Sequence, residues 1–329
     1  LNYEAVLSKG LLPSPKTLSM NRQNIFSELE MGLKETLEQL SEIDTKSLAS
    51  GIEESASPKG VATPFVKWVG GKRSIMDALK AHLPKSFNDY YEPFIGGGAL
   101  FFELHRKLQK AYLSDTNFDL VMAYRVVQRS PEDLLELLRE HARKHSEEYY
   151  YKMRDRHHLQ NPAEIAARLL YLNKTCYNGL WRVNSKGEFN VPIGRYKNPG
   201  IVQEENILAC CQALQSVDIR LATFDEIKPT EDDFVYFDPP YHPMDGASFT
   251  RYAKLDFNEQ DQVRLRDFAL KLHKQGVKVM LSNSDTPFIR NLYRSKYFQI
   301  ATVQALRLVN CKANKRSAVN EVLITNYCE

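Results

Sequence analysis

Seven short, mostly apolar runs punctuate the chain between residues 90 and 327, with helical periodicity between most of them. They are Tyr90–Phe94, Ala111–Asp115, Asp218–Ala222, Phe234–Phe237, Val277–Ser282, Phe298–Val303 and Glu321–Tyr327. Their length and their β-branched and aromatic content predict strands. Ala99–Lys107 and Asn258–Gln275 predict two of the intervening helices. This alternation predicts an α/β fold with a parallel sheet covered by helices on both faces. The pattern breaks between Phe118 and Glu205, where charged helical segments precede an Asn-, Gly- and cation-rich stretch from Asn173 to Pro199. Residues 119–205 are therefore a candidate inserted domain, with 61–118 and 206–329 forming the main one. Residues 1–60 differ again. Asn21 is placed to cap a helix over Arg22–Leu40, with Ile25, Leu29, Met31, Leu33, Leu37 and Leu40 at approximate helical spacing, and the Ser/Glu/Lys-rich stretch Ser47–Lys59 reads as a linker.

Composition narrows the class. Apolar residues make up 43% of the 329 and charged residues 26%, as in soluble globular proteins. No apolar stretch reaches the roughly 20 residues of a membrane span, and no signal-peptide pattern opens the chain. The five cysteines (Cys176, Cys210, Cys211, Cys311, Cys328) form no CxxC pair and are odd in number, which points away from a disulfide framework and toward a cytoplasmic location. The net charge of +3 is weakly basic, so any nucleic-acid surface must be a local patch.

The sharpest motif is Asp238-Pro239-Pro240-Tyr241, directly after the run Phe234–Phe237. Two prolines stop the ladder, leaving a carboxylate, a carbonyl and an aromatic ring at the carboxyl end of a strand, where open α/β sheets bind ligands. Asp238 and the Pro239 carbonyl suit the two N–H groups of an exocyclic amine, and Tyr241 suits the heterocycle that carries it. Tyr91-Glu92-Pro93-Phe94-Ile95-Gly96-Gly97-Gly98-Ala99-Leu100 predicts a strand, a glycine turn and a helix start. Asp115, at the end of the next strand, is placed to hold ribose hydroxyls. Because GxGxxG is not met, the pair points to an adenosine-bearing cofactor other than NAD. Phe65–Arg73 puts Trp68, two glycines and the cations Lys67, Lys72 and Arg73 before the first helix, suited to a cofactor carboxylate or a phosphate.

In Asn173–Pro199, Lys174, Arg182, Lys186, Arg195 and Lys197 face one acid, Glu188, and are interleaved with Tyr177, Leu180, Trp181, Phe189 and Tyr196. Val183–Phe189 reads as a hairpin with Gly187 near its turn. Such a ribbon enters a DNA major groove and reads base edges, and Tyr177 and Leu180 are suited to wedging into a base stack. Arg307, Lys312, Lys315 and Arg316 form a weaker basic patch. Taken singly, each motif also has a plain reading: a Pro-Pro stop, a tight turn, a solvated loop, a charged hairpin. No His/Cys/Asp ligand spacing suggests a metal.

Together, FVKWVGGK, EPFIGGGAL, Asp115, the YNGLWRVNSKGEFNVPIGRYKNP block and VYFDPPYHP resemble the Dam-type DNA adenine-N6 methyltransferases, in the family's order and over about Thr63–Tyr327. The resemblance implies a seven-stranded Rossmann-like methyltransferase sheet with an inserted helical and β-hairpin target-recognition domain. It implies S-adenosyl-L-methionine as cofactor, with Trp68, Lys72, the Phe94–Gly98 turn (Phe94, Gly96 and Gly98 among its residues), Asp115 and Asp238 lining its pocket. Double-stranded DNA would meet Lys67, Tyr177, Asn178, Leu180, Arg182, Pro192, Arg195 and Lys197. Asp238, Pro239 and Tyr241 would be catalytic on an adenine flipped from the duplex, with Phe249 or Tyr252 closing its pocket. Methylation within GATC follows from the same resemblance, which is compatible both with a restriction–modification context, with a cognate restriction endonuclease, and with an orphan enzyme. Two features depart from it: Asn310–Ser317 lacks the expected glycines, and residues 1–60 have no counterpart in the shorter members. N4-cytosine or RNA adenine methylation shares the pocket chemistry, and a catalytically idle DNA-binding regulator shares the fold. Asp238 favours DNA adenine over the first two, and the intact Gly96, Asp238 and Tyr241 argue against the third.

Overall fold

The computed structural model describes residues 60–157, 159–244, 257–306 and 318–328. The expected Arg22–Leu40 helix, the Ser47–Lys59 linker, Phe249, Tyr252 and the patch from Arg307 to Arg316 lie outside these residues. In chain order the elements are α1 (Met76–Ala81), β1 (Tyr90–Glu92), α2 (Ala99–Leu104), β2 (Ala111–Asp115), α3 (Phe118–Arg129), α4 (Pro131–Lys144), α5 (Glu147–Arg154), α6 (Pro162–Thr175), α7 (Glu204–Leu214), β3 (Val217–Leu221), β4 (Phe234–Phe237), α8 (Glu259–Lys274), β5 (Lys278–Ser284), α9 (Pro287–Leu292), β6 (Gln299–Leu306) and β7 (Ala318–Thr325). Each strand falls on or within a few residues of an apolar run.

The strands form one sheet of order β3-β2-β1-β4-β5-β7-β6. The first five in that order run parallel, as the alternation with helices predicts. β7 does not: it lies between β5 and β6 and is antiparallel to both. The sheet is therefore mixed, not wholly parallel. The eleven residues 307–317 that join β6 to β7 are fewer than a parallel crossover needs. Strand order reverses between β1 and β4, so the chain leaves their carboxyl ends in opposite directions and opens a crevice at that edge.

Period-two alternation divides the core between the two faces. Phe234 and Tyr236 of β4, Tyr90 of β1, Met280 of β5 and Leu323 of β7 join one cluster, which takes in α1 to α7. Val235, Phe237, Tyr91, Val279, Leu281, Val322 and Ile324 join the other, against Leu265, Ala269 and Leu272 of α8 and Ile289 of α9. Local chemistry fixes several helix starts. Asn117 accepts from Leu120 N, Asn161 accepts from Ala163 N and Glu164 N ahead of Pro162, and Asn258 forms a capping box with Asp261.

The segment between β2 and β3 is built on α6, which packs against α3, α4 and α5. Buried His141 on α4 lies 2.8 Å from the Tyr149 hydroxyl through Nδ1 and packs on the Tyr171 ring at 5.0 Å. Burial, the dominant cause, lowers its pKa to about 4. The unfolded chain, titrating near 6.5, therefore binds the proton first, and the stability carried by neutral His141 is lost as pH falls from about 6.5 toward 4. Thermal melts across that range should show His141→Gln with a flatter pH dependence than the parent. Parallel curves would exclude His141 as a contributor.

Candidate active site and nucleic-acid surface

The carboxyl ends of β1, β2 and β4 bring three of the sequence motifs to one edge of the sheet. β1 ends at Glu92 and turns through Gly96, whose N–H donates to Asp115 Oδ2 at 3.1 Å. Asn117 N donates to Asp115 Oδ1 at 2.9 Å, and the Tyr124 hydroxyl donates to Gly96 O at 3.1 Å. Burial raises the Asp115 carboxyl while these backbone donors oppose it. Gly96 has φ 45°, and a Cβ built on it would stand 2.7 Å from Trp68 Cδ1. Both the backbone conformation and the close approach of the indole require glycine there. Phe94 stacks on Phe224 at 5.7 Å and meets Phe237 and Phe257 edge-on at 6.4 and 5.7 Å, an aromatic wall beside the turn.

Asp238 follows β4 directly. Lys72 leaves the basic loop and turns inward, its side chain only 6% exposed, to pair with Asp238 Oδ2 at 2.7 Å. The same ammonium donates to Gly70 O and lies 4.8 Å above the centroid of the Tyr241 ring. On the other side of the carboxylate, Ser282 of β5 donates to Oδ1 at 3.1 Å and is 2.9 Å from the Tyr236 hydroxyl. Burial raises the Asp238 carboxyl; Lys72 and Ser282 act against it. The Tyr241 hydroxyl donates to Glu321 Oε2 at 2.9 Å, and burial holds its pKa well above the usual phenol range. Gln262 of α8 donates to Pro240 O at 2.9 Å and accepts from Asn283 at 3.1 Å, which fixes the double-proline turn to its neighbours. Beneath the site, buried Glu92 accepts from the Tyr90 hydroxyl at 2.7 Å and from Phe101 N at 3.2 Å. Desolvation pushes its pKa up to about 8, with Asp238 adding to the rise.

Several of these residues escaped the sequence reading: Phe224, Ser282, Glu321, Gln262 and Glu92. Phe224, Ser282 and Glu92 had a usable signal, since all three lie within three residues of the carboxyl end of a predicted strand, the ligand-binding edge of such sheets. Among the described residues, no group of three His, Cys, Asp or Glu side chains is arranged to hold a metal.

Seven of the expected DNA residues share one segment, Tyr177–Lys197, and Lys67 lies on the separate loop before α1. Lys67, Tyr177, Asn178, Arg182, Pro192, Arg195 and Lys197 are exposed, and Leu180 is half-buried against the core. Tyr177 N donates to Pro192 O at 2.9 Å and Gly194 N to Thr175 O at 2.8 Å, which ties the two ends of the segment together. The hairpin forms a tight turn, with Gly187 N donating to Asn184 O at 3.0 Å and Val183 bridged to Phe189. Arg182 is held across it, Nε donating to Asn190 Oδ1 at 2.7 Å and Nη2 to Asn190 O at 3.2 Å. Lys67 Nζ lies 4.6 Å over the Tyr196 ring.

Residues 68–309 match the family described as D12 class N6 adenine-specific DNA methyltransferase. The chain is 44% identical over 274 residues to the type II methyltransferase M1.LlaDCHI of Lactococcus lactis subsp. cremoris, an alignment covering 80% of this chain and 95% of that one. It is also 44% identical over 290 residues to the type II methyltransferase M.MjaIII of Methanocaldococcus jannaschii, covering 80% and 99%. The DNA adenine methylase of Escherichia coli is 34% identical over 265 residues, covering 79% and 93%.

Proposed function

The chain belongs to the D12 class of N6-adenine-specific DNA methyltransferases, and from that premise we propose which residues perform the reaction and which adenine they methylate. It transfers a methyl group from S-adenosyl-L-methionine to N6 of adenine in double-stranded DNA. The observation that carries the assignment of residues is the cluster of Asp238, Lys72 and Tyr241 at the reversal of strand order.

The residues around the glycine turn fit the cofactor. Asp115 accepts backbone bonds from Gly96, Asn117 and Thr116, and a carboxylate offers about four acceptor sites, leaving capacity for a ribose hydroxyl. Phe94 and Phe224 supply the flat apolar wall that an adenine ring needs, and Trp68 and Gly98 complete the turn. When bound, the cofactor supplies a methyl group on a positively charged sulfur. Asp238 and the Pro239 carbonyl accept the two N6 hydrogens of the flipped base, favouring a pyramidal nitrogen whose lone pair points at that methyl. Tyr241 stacks on the base, its ring held through the hydroxyl by Glu321. The Lys72 ammonium, bonded to the carboxylate above the same ring, offsets the charge of Asp238 and holds it in place. The surplus proton leaves toward Asp238, whose raised pKa suits it to accept.

Residues 119–205 serve as the target-recognition domain and 61–118 with 206–329 as the catalytic one. Lys67, Tyr177, Asn178, Leu180, Arg182, Pro192, Arg195 and Lys197 form the DNA face. The site is GATC, a reading supported by the resemblance of the Asn178–Tyr196 block to GATC-specific members. A cognate restriction endonuclease as partner is carried over from the resemblance alone. A cytoplasmic location is part of the same proposal. Among the described residues, no helix is long and apolar enough to cross a membrane. Methylation-sensitive sequencing of plasmid treated with purified protein and cofactor tests the site, and N6-methyladenine outside GATC would reject it. Removal of residues 1–60 should leave methyl transfer within about threefold of the full chain, because the matched family begins at residue 68. An insoluble or inactive truncation would show that the segment supports the core.

A further inference from the structure

One buried amide and one aromatic stack join the loop bearing Trp68 to the segment bearing the hairpin. Asn173, fully buried in the last turn of α6, accepts from Lys67 N at 2.7 Å and donates to Lys67 O at 2.7 Å and Gly179 O at 3.2 Å. A single side chain thus satisfies both backbone groups of Lys67, as a neighbouring strand would. Gly179 approaches so closely that a Cβ there would stand 2.8 Å from Lys67 Cβ, and its φ of 63° also calls for glycine. One residue past Lys67 and two past Gly179, Trp68 and Trp181 stack with centroids 6.0 Å apart and planes 23° apart. They are the only two tryptophans in the sequence. Trp181 also packs on Phe189 at 4.8 Å, next to Asn190, which holds Arg182. Trp68 in turn lies against Gly96. Contact is therefore continuous from the glycine turn through both indoles to the base-reading hairpin.

We propose that Asn173 and Trp181 are positioning residues that couple cofactor binding to DNA binding. The inference rests on the reading above, in which the Gly96 turn holds the cofactor and residues 177–197 meet DNA. Close-packed rings transmit a displacement instead of absorbing it, so a cofactor that fixes Trp68 also fixes Trp181 and the hairpin behind it. By linkage, DNA that fixes the hairpin tightens cofactor binding by the same factor. Asn173 keeps the two backbones in register, so that the stack is the part able to respond.

Calorimetric titration with S-adenosyl-L-homocysteine, which has no methyl to transfer, tests this with and without a duplex carrying the site found by sequencing. The wild-type protein should bind it about 5- to 150-fold more tightly in the presence of the duplex. Trp181→Ala should bring that ratio to within about twofold of one, while Trp181→Phe, which keeps a ring in the stack, should retain most of it. A purely structural role would weaken both titrations alike and leave the ratio unchanged. If Trp181→Ala does not fold, Trp181→Leu replaces it. An unchanged ratio in the folded variant, or a wild-type ratio of one, overturns the coupling alone. Failure of the wild type to bind either ligand would overturn the underlying reading with it.

Discussion

Asp238→Ala is expected to lower methyl transfer from labelled S-adenosyl-L-methionine to duplex DNA by about a thousandfold or more, since it removes the acceptor aimed at the reacting amine. It should also destabilise the fold. The sequence alone suggests an exposed strand end at which alanine is harmless, but Asp238 is paired with a Lys72 side chain that is 6% exposed. Removing one partner leaves a buried charge uncompensated, a loss of roughly 3–5 kcal/mol in comparable pairs. Lys72→Met in the same chain separates the two effects: the double variant should regain much of the lost thermal stability and none of the activity. Because burial raises the Asp238 carboxyl, the parent enzyme should lose activity as pH falls through that raised value, where the acceptor becomes protonated. Turnover of Asp238→Ala within tenfold of the parent would reject the carboxylate as the acceptor.

What the sequence made legible here was what lies close together along the chain. The run Phe234–Phe237 is apolar on both faces and stopped by prolines, so the strand and the residues just past it could be read without a structure. Asp115 and the glycine turn were likewise legible from strand-end positions. The partners of these residues were not. Lys72 meets Asp238 across 166 residues, and Tyr241 meets Glu321 across 80; nothing in either local pattern marks the pairing. Lys72 looks like one more cation of a basic loop until the fold buries it. Asn173 looks like the first residue of a polar block, yet it is wholly buried against Lys67, 106 positions away. Alternation along β7 identifies a strand but carries no direction, which is why its antiparallel insertion between β5 and β6 was invisible. Periodicity reports burial; contacts between distant segments need the topology.

The same distinction governs sequence discrimination. Arg182 stands out in the sequence by its residue type within a ribbon, and in the structure Asn190 takes its Nε and one terminal nitrogen. A guanidinium has five N–H donors in a rigid fork, and the two bonds to Asn190 hold its plane within the hairpin, a fork of the kind that pairs bidentately with a guanine O6/N7 edge. Such a contact discriminates by about 1–3 kcal/mol against another base. Arg182→Ala is therefore expected to relax the preference for the first guanine of GATC by roughly five- to 150-fold, with the other positions less affected. Lys197 is exposed on the same segment and suits a phosphate instead. Lys197→Ala should weaken binding to all duplexes alike and reduce the slope of log affinity against log salt by about one. Strand-resolved sequencing of treated plasmid, with binding measured at several salt concentrations, distinguishes the two roles. An Arg182→Ala enzyme with unaltered first-base preference would remove Arg182 from base reading, and a Lys197→Ala enzyme that changed preference instead of salt dependence would exchange the two assignments.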